Sequence, residues 1–142
     1  MNELFANIDV DDLERGVEFY TKALGLKVSR YLEAFAAVEL AGASSRIYLL
    51  AKAAGTASSA VSPARRNYER HWTPVHLDFV VEDLDAAIQR ALAAGAALES
   101  KTEAQDWGRL ALMADPFGHG FCLLQFFGRG YDEIAEPLRK ID

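Results

Sequence analysis

His76 to Gly95 reads HLDFVVEDLDAAIQRALAAG, and the fold turns on this stretch. Leu77, Phe79, Val80 and Val81 form an apolar run of strand length, and Glu82-Asp83 turns out of it. Apolar residues then recur at Leu84, Ala87, Ile88, Ala91 and Leu92, the spacing of one helix face. Asp83 is placed to accept from the free amides of the first turn. Gly95 sits just past the helix, where a left-handed residue closes it.

The same order is written earlier. Phe5 to Gly25 reads FANIDVDDLERGVEFYTKALG, and Val10-Asp11-Asp12-Leu13 aligns with Val81-Glu82-Asp83-Leu84 at a shift of 71 positions. Phe5 then pairs with His76, and Gly25 meets Gly95 if one residue is dropped from the second helix. Strand, acidic cap, amphipathic helix and terminal glycine recur at one spacing, which reads as an internal duplication.

The chain around these two stretches has 142 residues, one ordinary domain or two half-size modules sharing a core. Hydrophobic content of 51% and charged content of 25% suit a globular protein. The net charge of −6 and pI near 5.1 argue against nucleic acid as the main partner. Cys122 is the single cysteine, so no internal disulfide can form, and a reducing, cytoplasmic setting is expected. No apolar run has the length of a membrane span, so no membrane partner is expected.

In order, the first strand is expected over residues 4–10, with Leu4, Ala6, Ile8 and Val10 on the helix side and Phe5, Asn7 and Asp9 opposite. The helix from Leu13 should bury Leu13, Val17, Phe19, Tyr20 and Leu24. Further strands are expected at 27–31, 34–40 and 46–50, making residues 1–51 a β-α-β-β-β module. Residues 52–74 are small, polar and punctuated, a linker with a short helix as one option near Pro63-Ala64-Arg65-Arg66. The second module, 75–127, repeats the pattern with strands at 97–101, 108–113 and 120–127. A turn, Asp115-Pro116-Phe117-Gly118-His119-Gly120, joins its last two strands. The tail, 128–142, has room for one short helix at 132–138.

Two such modules with V-x-D-L signals resemble the vicinal oxygen chelate superfamily, which includes glyoxalase I enzymes, extradiol dioxygenases and bleomycin-resistance proteins. The sharpest matches are ADPFGHGFCLLQF (Ala114 to Phe126), like the family's D-P-x-G turn and last strand, and VDDLERGVEFYTKALGL near the start. The resemblance implies an α+β fold of two tandem modules, whose curled mixed sheets surround a cup. It also implies a homodimer in which eight strands enclose each cup, with residues 66–72 near the contact. The family's metal-ligand positions, carried over, fall on Phe5, Tyr48, His76 and Cys122, and only His76 keeps a family ligand type. Phe5 has no donor atom, the Tyr48 phenol must lose a proton to bind a divalent ion, and a thiol replaces the hard carboxylate at Cys122.

That departure favours a cup without a metal or other cofactor, holding a small organic molecule as the resistance and sequestration members do. An acidic chain with aromatic candidates suits a flat, partly aromatic or cationic molecule. The candidate ligand-binding residues are Phe5, Asn7, Phe35, Tyr48, His76, Asp78, Trp107, Arg109 and Cys122, with Arg109 at the rim. His76 shares a face with Asp78 and is either a ligand-bonding imidazole or a remnant ligand position. His119 reads as a surface turn residue, and Cys122 as a small buried one that needs a base to become a nucleophile. The alternative is a metal-dependent lyase, isomerase or dioxygenase whose atypical ligands come from His76, Asp78, Cys122, Glu69 or His71. A regulatory dimer without a ligand is the third class.

Overall fold

The computed structural model describes residues 1–139. Its first half runs β1 (Phe5–Val10), α1 (Leu13–Leu24), β2 (Lys27–Leu32), β3 (Ala37–Ala41) and β4 (Arg46–Ala51). Its second half runs β5 (Leu77–Val80), α2 (Leu84–Ala94), β6 (Ala97–Leu98), β7 (Gly108–Ala114) and β8 (Gly120–Phe126). Each half forms one four-stranded mixed sheet, ordered β1-β4-β3-β2 and β5-β8-β7-β6. The pairs β1–β4 and β5–β8 are parallel and the others antiparallel: each helix carries the chain across to the far edge, and two reversals bring it back beside the first strand. The expected α+β architecture of two mixed sheets is what the chain forms.

Local chemistry sets the helix ends. The Asp12 and Asp83 carboxylates accept from the amides of Arg15 and Ala86, each at 3.1 Å. Gly25 and Gly95 close the helices at φ 67° and 114°. Phe19, Tyr20 and Ala23 are buried on α1, with Leu84, Ile88 and Ala91 on α2. The two helices pack against each other, so the helix-side faces of both sheets share one core. Leu92 departs from the expected stripe and is 37% exposed.

The segment 52–76 forms no helix near Pro63. Ala57 instead pairs with Arg65 in an isolated antiparallel bridge, and Arg66 closes it through its own amide and guanidinium. Pro63 and the serines around it favour turns, and a closed loop satisfies their backbone without a helical nucleus. The segment is tied to both halves. Arg66 meets Asp9 at 2.7 Å, and Arg70 makes a two-pronged contact with Glu99.

Three other expectations shift. β3 begins at Ala37, because Glu33–Phe35 make a 3-10 turn that ends at Ala36 with φ 48°. β6 has only two residues, since the Ser100 hydroxyl takes the Leu112 amide that a continuing strand would have taken. The tail makes a 3-10 turn, Gly130–Glu133, in place of a helix at 132–138. Its last residues, 140–142, lie outside the described part.

Candidate functional site

Each sheet turns one face to its helix and leaves the other open, and the alternation along the strands decides which side chains stand on the open face. On the first sheet these are Phe5 and Asn7 from β1, Arg46, Tyr48 and Leu50 from β4, Ala37 and Glu39 from β3, and Arg30 from β2. Phe5 packs edge-on against Tyr48 with ring centroids 5.4 Å apart. Beside them lies a hollow of about 750 Å³ lined by Asn7, Leu32, Phe35, Leu50 and Lys52 among others. The expected residues Phe5, Asn7, Phe35 and Tyr48 do meet here.

Glu39 is the centre of this face and is not among the candidates expected from the sequence. Although only 3% exposed, its carboxylate accepts from the Tyr48 hydroxyl at 2.6 Å and from Ser29 at 2.8 Å. Arg30 reaches it at 2.9 Å and Arg46 at 3.0 Å. The hydroxyls of Tyr48 and Ser29, and then Arg30, hold the Glu39 carboxyl down to about 2. A lone acidic residue in the alternation Ala37, Glu39 was the available signal. Its partners come from two other strands and a bulge between Val28 and Arg30, which no local pattern reveals.

On the second sheet Asp78 stands beside Cys122 in the parallel register, and His76 precedes them on the same side. His76 Nδ1 lies 3.1 Å from Asp78. One ligand-type atom from each of His76, Asp78 and Cys122 falls within 4.8 Å of the other two. Burial first, and then the Asp78 charge and hydrogen bond, push the Cys122 thiol up to about 11. At neutral pH Cys122 is therefore a protonated donor rather than a nucleophile.

Two expected residues stand elsewhere. Arg109 is not at a rim: it lies on the helix side of β7, where its guanidinium meets Asp85 of α2 at 3.0 Å. Its neighbour in register, Gln125, accepts from the Leu84 amide at 2.9 Å, so this corner serves the start of α2. Trp107 clusters with Phe126 and Tyr131 and lines neither cleft described here.

Between the edges β1 and β5 runs a second cleft of about 680 Å³, and all three histidines of the chain line it. His119 is not a plain surface residue. Its Nε2–H donates to the Asp9 carbonyl at 2.7 Å, and its ring lies 5.2 Å from that of His71. The turn that carries it is held from inside by Asp115, which accepts from the Phe117 and His119 amides and from the buried Tyr20 hydroxyl. Burial, followed by the Asp115 charge, keeps that phenol protonated well beyond its ordinary range.

The superfamily's ligand positions therefore split two and two. Phe5 and Tyr48 meet on the first sheet, while His76 and Cys122 meet through Asp78 on the second. Phe5 and His76 line the same cleft, yet among the described residues no hydrogen bond or ring contact joins the two pairs. The four positions do not fit a hard divalent ion. Phe5 offers no atom, Tyr48 is engaged with Glu39, and Cys122 puts a soft thiol where a hard ion needs a carboxylate. His76, Asp78 and Cys122 fit a softer ion better. A tetrahedral zinc keeps its ligand atoms about 3.3–3.8 Å apart, so three atoms within 4.8 Å must close by about 1.5 Å at most.

The sequence matches the Glyoxalase-like domain family over residues 6–124, and the chain belongs to that family. Its two-sheet fold is shared with solved structures of the glyoxalase, bleomycin-resistance and dioxygenase group. A genomically encoded fosfomycin resistance protein from Listeria monocytogenes superposes with a TM-score of 0.71 at 17% identity, covering 95% of this chain and 98% of that one. A hypothetical protein from S. aureus gives 0.67 at 24% identity, covering 88% and 94%. A glyoxalase/bleomycin resistance protein/dioxygenase family enzyme from Burkholderia phytofirmans gives 0.64 at 17%, covering 87% and 97%. At these identities the likeness is one of fold. An uncharacterized protein of Mycobacterium tuberculosis is 50% identical over 54 residues, which is 37% of this chain and 32% of that protein. One from Mycobacterium bovis matches over the same length and 36% of its chain, so the match spans about a third of these curated relatives.

Proposed function

We propose that this chain binds a small organic molecule with an aromatic or apolar body on the open face of its first sheet, without a metal. The fixed wall of Phe5, Tyr48 and Glu39 carries this reading. Where a metal enzyme of the superfamily places ligand atoms, this chain places a ring against a ring and a hydroxyl already donated to a carboxylate. Such a wall offers apolar area and a few set polar groups, the usual make-up of a ligand pocket. The resistance and sequestration members of the group supply the model for its role. The test is metal content together with melting temperature. Purified protein should carry no stoichiometric Ni, Mn, Fe or Zn, and chelators should leave its melting temperature unchanged. One metal per chain overturns the reading.

One observation favours a second reading, a metal-dependent lyase, isomerase or dioxygenase: the convergence of His76, Asp78 and Cys122. These residues would hold a soft ion, with the imidazole and thiolate as its preferred ligands. Such an ion would supply Lewis acidity toward a bound oxygen. Zinc binding that is lost in Cys122→Ser with the fold intact would promote this reading over the first.

A further inference from the structure

Resting on the binding function proposed above, we propose that the ligand of the first sheet is an organic anion, a carboxylate or phosphonate on an aromatic body, held by Arg30 and Arg46. Both guanidiniums stand on the open face, held there by the buried carboxylate of Glu39. An arginine has five N–H donors in a fixed fork. Arg30 turns Nε and one terminal nitrogen to Glu39, and Arg46 turns a single nitrogen to Glu39 and Ser29. Most of each fork is left to an incoming group, and the side chains are 63% and 50% exposed.

Two arginines against Glu39 leave an excess of one positive charge at this cluster. Glu33 and Lys52, which line the adjoining hollow, cancel each other. The chain as a whole carries −6, so the patch opposes the sign of the rest of the surface. The only fully buried carboxylate on this face is saturated by two hydroxyls and two arginines, which leaves an ammonium group little to bind there. Planar forks suit two-oxygen anions, and Phe5 with Tyr48 stands beside them to receive a ring.

The experiment is calorimetric titration of the full-length protein with phenylphosphonate, benzoate, benzyl alcohol, benzylamine and inorganic phosphate at millimolar concentration. Phenylphosphonate or benzoate should bind at least about tenfold tighter than benzyl alcohol or benzylamine, the scale of a charge-assisted fork contact. Inorganic phosphate, which lacks the ring, should bind more weakly than phenylphosphonate. Arg30→Gln and Arg46→Gln, made singly so that Glu39 keeps one cation, should each lose most of that advantage. Circular dichroism checks that they fold, and Arg46→Lys should restore part of the loss. Equal binding of benzyl alcohol or benzylamine, lost in Phe5→Ala, would overturn the anion assignment and keep the pocket. Anion binding untouched by both arginine variants would also overturn the assignment. Binding of none of the probes would overturn the pocket and the assignment together.

Discussion

Glu39 puts a carboxylate where the alternation of β3 asks for a solvent-facing residue, and its neighbours close over it until 3% remains exposed. Buried charge survives only with partners, and here two hydroxyls and two guanidiniums provide them. The consequence is a pH dependence of known sign. A carboxyl held at about 2 in the folded chain has an ordinary value near 4.3 in the unfolded chain. Its contribution to stability is complete above the unfolded value and is lost as pH falls toward 2. Thermal melts of wild type and Glu39→Gln should therefore converge as pH falls from 5 to about 2, with wild type the more stable at neutral pH. Parallel curves across that window would show that the carboxylate is not held as described.

At the scale of elements, the turn between β7 and β8 and the segment 66–72 depend on each other. Gly118 has φ +82°, and a Cβ there would lie 2.1 Å from the Glu69 carbonyl oxygen. The His71 amide donates to the Gly118 carbonyl, so the two backbones touch on both sides. Gly118→Ala must break this approach as well as strain its own backbone. The expected cost is about 3 kcal/mol or more, a fall in melting temperature of about 10 °C. Gly55→Ala is the matched control, with φ +81° and nothing within 4 Å of the added carbon. It should cost about 1 kcal/mol. Equal effects of the two substitutions would remove the close contact from the account of this turn.

For the whole molecule, two open sheet faces are the dominant feature. Phe5 and Val80 stand exposed there at 45% and 60%, Phe35 in the turn beside the first sheet at 73%, and β1 and β5 are both edge strands. Unpaired edges and exposed apolar area invite a partner. We expect a homodimer in which the open face of one copy's first sheet is covered by the other copy's second sheet. Light scattering at micromolar concentration should give twice the 15.6 kDa chain mass, about 31 kDa. A monomer there would sink the arrangement. Among the described residues no helix is long and apolar enough to cross a membrane.

What the sequence determined by itself is what local physics settles. Asp12 and Asp83 cap, Gly25 and Gly95 close, and the duplicated order of strand, helix and strands follows from periodicity within each stretch. The face shared by Phe5 and Asn7, or by His76 and Asp78, is equally legible, because side chains alternate along any strand. Arg109 was open to the same reading, since alternation sets it beside Ala111 and Met113 on the helix side. Tertiary structure alone decided which strands lie in register. That register brings Asp78 opposite Cys122, and Arg30 with Tyr48 onto Glu39, across separations that no short pattern spans. It also decided that the two halves meet through their helices, leaving Phe5 with Tyr48 and His76 with Cys122 on separate open faces. The reason is physical: caps and periodicity act over one or two turns of chain. A site is made by the packing of distant segments, where burial and charge pairing first acquire their strength.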